Sequence, residues 1–189
     1  RGRIFYHIEK DEGQYDDECQ IFWASGACLA IRKEIFDKTG GFDEFYFAHQ
    51  EEIDLCWRIN NLGYKIMVIP SSKVYHLGGG TLNEQDPKKT FYNFRNSLFN
   101  LLKNAPDNLY KKLIIMRMLF DGLAFLYFLI GFRWNHAVMV IKAHFDYYRN
   151  KSLIKRKRNL LTKSKTYYYS RNLIFKFFIF KIKFFTDIN

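Results

Sequence analysis

Three carboxylates crowd one short stretch of this chain: Glu51, Glu52 and Asp54, within Gly41-Phe-Asp-Glu-Phe-Tyr-Phe-Ala-His-Gln-Glu-Glu-Ile-Asp-Leu-Cys-Trp-Arg58. A carboxylate held beside a hydroxyl can take its proton, so such a cluster is equipped for general-base chemistry. It also has a purely structural use. The first turn of a helix favours negative charge, and Gly40 and Gly41 end the preceding Arg32 to Thr39 segment where such a helix begins. On that reading Asp54 pairs with Arg58 at i, i+4, and Leu55, Cys56, Ile59 and Leu62 form a buried stripe up to a C-capping Gly63.

The elements that must position these carboxylates lie on both sides. Downstream, Gly63-Tyr-Lys-Ile-Met-Val-Ile-Pro70 reads as a strand stopped by proline, and Ser72-Lys-Val-Tyr-His76 alternates before Gly78-Gly79-Gly80. Upstream, Ile21 to Ile31 reads as an apolar strand interrupted at Ser25-Gly26-Ala27. A glycine inside a strand marks either a bulge or a close backbone approach to a ligand, and both readings stay open for Gly26.

Taken in order, Ser25-Gly26-Ala27, Gly40-Gly41-Phe42-Asp43-Glu44, Glu51-Glu52-Ile53-Asp54-Leu55-Cys56-Trp57-Arg58, Gly63-Tyr64, Pro70 and Val74-Tyr75-His76 resemble the acceptor-side half of inverting family-2 glycosyltransferases of the GT-A fold, rhamnosyltransferases among them. The resemblance covers roughly residues 21 to 80, with a weaker echo in Asn93-Phe94-Arg95-Asn96. It implies that Glu52 is the base that deprotonates the acceptor, with Glu51 and Asp54 in support. It further implies substrate contacts from Ser25, Gly26, Ala27, Trp57 and Arg58, and a share for His76 in holding a divalent cation, Mg²⁺ or Mn²⁺, on the donor diphosphate. This chain has Glu at the second position of a pair where the family has Asp, which leaves Glu51 and Glu52 both open for the base. Arg95 is read either as reaching a substrate phosphate or as a surface arginine on an amphipathic helix.

A cation of this kind normally needs an Asp-x-Asp turn, since hard cations prefer carboxylate oxygens. None occurs here; Asp16-Asp17-Glu18 reads as solvated surface. The fold class expected is therefore α/β, the C-terminal part of a GT-A nucleotide-diphospho-sugar transferase fold followed by amphipathic α-helices. Residues 1–85 would be the acceptor-side half, without its nucleotide-binding half, and residues 86–189 a basic, aromatic-rich helical segment.

Charge divides the chain further on, at about residue 105. Residues 1–104 hold 13 Lys or Arg against 15 Asp or Glu, and residues 105–189 hold 17 against 4. Such asymmetry points to a polyanionic partner. Asp86-Pro87 opens a helix whose stripe is Phe91, Phe94, Leu98, Leu101 and Leu102, and Ala105-Pro106-Asp107 ends it. Residues 113–132 are apolar and long enough to cross a bilayer, yet carry Arg117 and Asp121 four residues apart. That pair is costly in lipid and favours an interfacial or partly inserted helix. Trp134 to Tyr148 reads as amphipathic, with Val138, Ile141 and Phe145 on one face. Leu173 to Phe185 reads as an in-plane membrane helix with snorkelling lysines, or as a strand.

The expected partners are thus a nucleotide-sugar donor, a glycan or lipid-linked acceptor and an anionic membrane surface, at the cytoplasmic face of the cell membrane. Nucleic acid fits poorly, because the aromatic runs are too apolar for a solvated groove. Cys19, Cys28 and Cys56 are too few and too scattered for a disulfide framework or a thiolate zinc site. A second reading is a non-catalytic, membrane-associated protein that keeps the fold for interaction.

Overall fold

The structure is a computed structural model that describes residues 3–4, 7–75, 86–161, 176–177, 179–182, 184 and 187. The chain runs β1 (Arg3–Ile4), β2 (His7–Ile8), β3 (Cys19–Ile21), α1 (Lys33–Thr39), a single 3₁₀ turn (Glu44–Tyr46), α2 (Glu51–Asn61), β4 (Ile66–Val68), α3 (Pro87–Asn104), α4 (Tyr110–Ile130) and α5 (Trp134–Asn159). β1 pairs antiparallel with β2, and β3 with β4 in the register Cys19 to Val68 and Ile21 to Ile66. The described chain is mostly helical with two small two-stranded sheets, so the α/β expectation holds only in this reduced form.

The helices begin and end for local reasons. Gly40 closes α1 at φ 79° and donates to the carbonyls of Asp37 and Phe36. Gly41 follows at φ 67°, where a Cβ would lie 3.0 Å from the Phe36 ring, so glycine is required twice over. Asp86 caps α3 by accepting from the Lys88 N–H at 2.8 Å, with Pro87 in the first turn. Two expected strands are shorter than their composition suggests. Phe22 to Ile31 forms no strand: Ser25 accepts at its carbonyl from Cys28 N–H and at its hydroxyl from Ala27 N–H, and this local turn replaces ladder bonds. Ser72 to Tyr75 is likewise irregular after the Ile69 to Ser72 turn, and His76 lies outside the described residues.

α5 runs past Tyr148 and takes the whole Lys151 to Arg158 basic run into the helix. The tail is not one continuous helix: Lys176 and Phe177 are helical, but residues 179–182 are turn and coil, with Lys181 at φ 55°. The other tail residues lie outside the description.

Two cores result. Ile35, Leu55, Cys56, Ile59 and Ile66 join α1, α2 and β4. Tyr46, Leu98, Phe99, Leu102, Ile114, Tyr147 and Ile154 join the 3₁₀ turn to α3, α4 and α5. The Gly-Gly-Phe-Asp-Glu segment is tied to the second core by charge. Asp43 caps the 3₁₀ turn and accepts from Lys103 at 2.7 Å and Lys157 at 2.6 Å, residues distant in sequence on α3 and α5. Burial alone would push its carboxyl up; the hydrogen bonds and charges of the two lysines outweigh burial and bring it from 3.8 to about 2.

A folded value below the unfolded one means that the Asp43 contribution is complete above about pH 4 and disappears as pH falls toward 2. Asp43→Asn is therefore expected to cost about 2 kcal/mol near neutral pH. In thermal unfolding, the gap between variant and parent should close as pH drops from 4 to 2; a gap independent of pH would show that the ion pairs contribute nothing.

Candidate active site

The first turn of α2 is reached through a backbone that no glycine relieves. Phe47, His49 and Gln50 have φ of 62°, 63° and 74°, three positive values within four non-glycine residues. Each costs on the order of 1 kcal/mol or more and persists only where surrounding contacts over-determine it. Those contacts come from α3. The Asn96 amide donates to the carbonyls of Tyr46 (3.1 Å), Ala48 (3.0 Å) and His49 (2.7 Å). Arg95 donates to the carbonyls of Phe45 (3.1 Å) and Tyr46 (3.2 Å), and Asn100 to that of Gln50 (3.3 Å).

The far side of α2 is fixed by a buried charge. Asp54 is fully buried; Oδ2 accepts from Arg58 at 2.6 Å and Lys103 at 2.9 Å, and Oδ1 from Asn104 at 2.8 Å. Arg58 spends its remaining donors on the carbonyls of Thr39 (2.5 Å) and Gly41 (2.8 Å). The structural pairing of Asp54 with Arg58 is thus present. Both side chains are consumed in holding α2 to the glycine turn and α3, and both are buried. Arg95 is buried rather than superficial: besides its carbonyl contacts it meets Asp146 at 3.2 Å and lies over the rings of Phe45, Phe91, Tyr92 and Phe99.

Glu51 and Glu52 point elsewhere. Both are half-buried, and one carboxylate oxygen of each, together with His49 Nε2, is shielded from solvent without a hydrogen-bond partner among the described residues. Buried polar atoms are normally paired, so three unpaired ones among the described residues make this helix start the candidate site. Burial raises the Glu52 carboxyl above its ordinary 4.5, and the neighbouring Glu51 charge adds to this against backbone hydrogen bonds. His49 is pushed below 6.5 by burial and by the Lys89 charge.

Of the other expected residues, Trp57 is buried edge-on to Phe22 at 5.4 Å. Asn60 holds the Phe22 carbonyl at 2.8 Å, and the Ala24 N–H reaches the buried Cys56 thiol. The chain from Phe22 to Ala24 therefore runs along the α2 face that carries Asn60 and Cys56, and the Ser25, Gly26 and Ala27 that follow are exposed. Sequence reasoning passed over His49, Asn96, Asn100 and Lys103. The Asn-Phe-Arg-Asn echo was the available signal for Asn96.

Partial relatives give this geometry a context. The chain is 41% identical over 59 residues to N-acetylglucosaminyl-diphospho-decaprenol L-rhamnosyltransferase of Mycobacterium tuberculosis, a match covering 31% of this chain and 19% of that protein. It is 32% identical over 65 residues to rhamnosyltransferase WbbL of Escherichia coli, covering 34% and 24%, and 28% identical over 105 residues to dTDP-rhamnosyl transferase RfbF of Shigella flexneri, covering 51% and 35%. The chain is rhamnosyltransferase-like. Its matches span between about a fifth and a third of those relatives' lengths. No protein-family model matches, and no solved structure matches significantly.

A carboxyl whose folded value is raised destabilises the fold once ionised. For Glu52 that loss is absent below its ordinary value near 4.5 and complete above the raised one. Glu52→Gln should therefore raise Tm by about 2 °C at pH 7 and leave it unchanged near pH 4. A variant destabilised at pH 7 would show that the site favours the charged carboxylate.

Proposed function

We propose that this chain carries the acceptor-side site of a rhamnosyltransferase-type glycosyltransferase of family 2 and GT-A descent, with Glu52 as general base. The observation that carries the reading is the pair of half-buried carboxylates at the start of α2, each with one shielded oxygen that lacks a hydrogen-bond partner among the described residues. The relatives' names supply the chemical class: a rhamnosyl group from a nucleotide donor, and for the Mycobacterium tuberculosis protein a lipid-diphosphate-linked acceptor.

In this reaction Glu52 takes the proton of an acceptor hydroxyl as its oxygen attacks the anomeric carbon from the face opposite the leaving group. The bond from that carbon to the diphosphate breaks, the nucleoside diphosphate leaves with the electron pair, and the configuration inverts. Burial suits Glu52 to the task, because a raised proton affinity makes the carboxylate a stronger base. Neutral His49 lies two residues before the carboxylates and is free to hydrogen-bond an acceptor or a leaving oxygen.

A divalent cation on the donor diphosphate belongs to the proposal, with His76 as a ligand. Among the described residues no group of three His, Cys, Asp or Glu could hold one, so no step is routed through it. The cytoplasmic membrane face is the proposed location. It is supported by the basic C-terminal half and by α4, which is long and apolar enough to cross a membrane by length and composition.

The test is turnover of a nucleotide-rhamnose donor with a lipid-diphosphate acceptor by a complete enzyme, this chain joined to a nucleotide-binding half, and by its Glu52→Gln variant. The variant should lose about a thousandfold in kcat while donor binding stays within twofold. Retention of a tenth or more of the rate would remove Glu52 from the role, and the same loss in Glu51→Gln alone would transfer it to Glu51.

A further inference from the structure

Among the described residues, an extended apolar surface without an assigned use lies on the α4–α5 hairpin. α4 leaves Ile115, Leu119, Leu123, Leu126, Tyr127 and Ile130 exposed, the last at 79%. At 3.6 residues per turn these positions spread over about 120° of the helix, wider than the ~100° stripe that one partner helix covers. α5 adds Trp134, Val138, Ile141, Phe145 and Tyr148, a single exposed stripe. Between the two, Phe132 (79% exposed) stands edge-on to Trp134 at 6.2 Å, an aromatic pair suited to the boundary between headgroups and acyl chains.

Charge is arranged to fit the same occupant. The helices are antiparallel, with Tyr148 meeting Met118 and Arg158 stacked on Tyr110. Lys112 at the start of α4 therefore lies toward the same end as Arg149, Lys155 and Arg156 of α5, and all four project within about 60° of the apolar faces by helical spacing. The acidic residue of the hairpin interior is neutralised inside it: Asp121 is buried and accepts from Arg117 Nε at 2.6 Å, with His144 Nε2 at 2.9 Å.

We propose that the outer faces of α4 and α5 together dock this chain onto an anionic lipid bilayer, with the hairpin lying in the plane of the interface. An upright α4 would draw Lys142, Asp146 and Arg149 of the helix packed beside it into hydrocarbon, whereas the in-plane pose leaves them at headgroup level. Lysine and arginine side chains at the edges of the apolar face then meet anionic headgroups. The inference rests on the membrane-side part of the proposed function, and vesicle binding is read without any turnover, so its failure is separable from failure of the sugar-transfer reading.

The experiment is co-sedimentation of the full chain with phosphatidylcholine vesicles, alone or with one-third phosphatidylglycerol. The anionic vesicles should bind at least about tenfold more strongly, with the preference shrinking as salt rises. Leu123→Glu combined with Phe145→Glu, both at exposed positions, should weaken binding to either vesicle by about tenfold or more with the circular dichroism spectrum unchanged. Lys155→Glu combined with Arg156→Glu leaves the apolar faces intact and should abolish the anionic preference alone. Vesicle binding that ignores both pairs of substitutions would overturn the proposal. So would a lipid-free dimer that the first pair dissociates while the parent shows no vesicle binding, since the face would then belong to a second copy.

Discussion

The site depends on one carboxamide. Asn96 offers two N–H bonds to three backbone carbonyls of the segment that enters α2, and these hold a turn in which Phe47, His49 and Gln50 occupy the left-handed region without glycine. The strain and the clamp are two sides of one arrangement. A relaxed turn would need no partner, but it would also start α2 in another direction and re-aim Glu51 and Glu52. Arg95 and Asn100 reinforce the clamp from neighbouring turns of α3, which makes that helix the support of a site to which it contributes no reacting group.

Buried charge secures the rest. Removing Asp54 and Asp43 from water is costly, and it is offset because every approach is occupied by a donor: Arg58, Lys103 and Asn104 on the first, Lys103 and Lys157 on the second. Lys103 bridges both aspartates and so couples α2, the glycine turn, α3 and α5. This division of labour separates the three carboxylates of the acidic segment. Asp54 is saturated and structural, whereas Glu51 and Glu52 keep unsatisfied oxygens and, for Glu52, a raised proton affinity.

Much of this was legible in the residues. The extent of α2, the Asp54–Arg58 pair, the cap at Asp86-Pro87, the break after Asn104 and the Arg117–Asp121 pair all follow from local spacing, and local spacing is what short helices and i, i+4 pairs obey. The strands were read too long because Ser25 and Ser72 have turn options within their own segments, and an apolar run does not show whether a ladder partner exists. The role of Arg95 was missed for a different reason. Its partners lie about fifty residues away in sequence, and nothing in an amphipathic helix says that its polar face will meet a loop of bare carbonyls. The same blindness hid Lys103 and the positive φ values, which belong to tertiary packing rather than to propensity.

The claim that α3 aims the carboxylates through the backbone is tested most directly by amide hydrogen exchange, comparing the parent with Asn96→Ala under native conditions. The account predicts faster exchange, by about tenfold or more, at Tyr46, Phe47, Ala48 and Asp54, whose N–H groups close the strained turn and the first turn of α2, with exchange in α4 and α5 unchanged. Exchange that is unaltered at these amides, or accelerated equally throughout the helices, would contradict it.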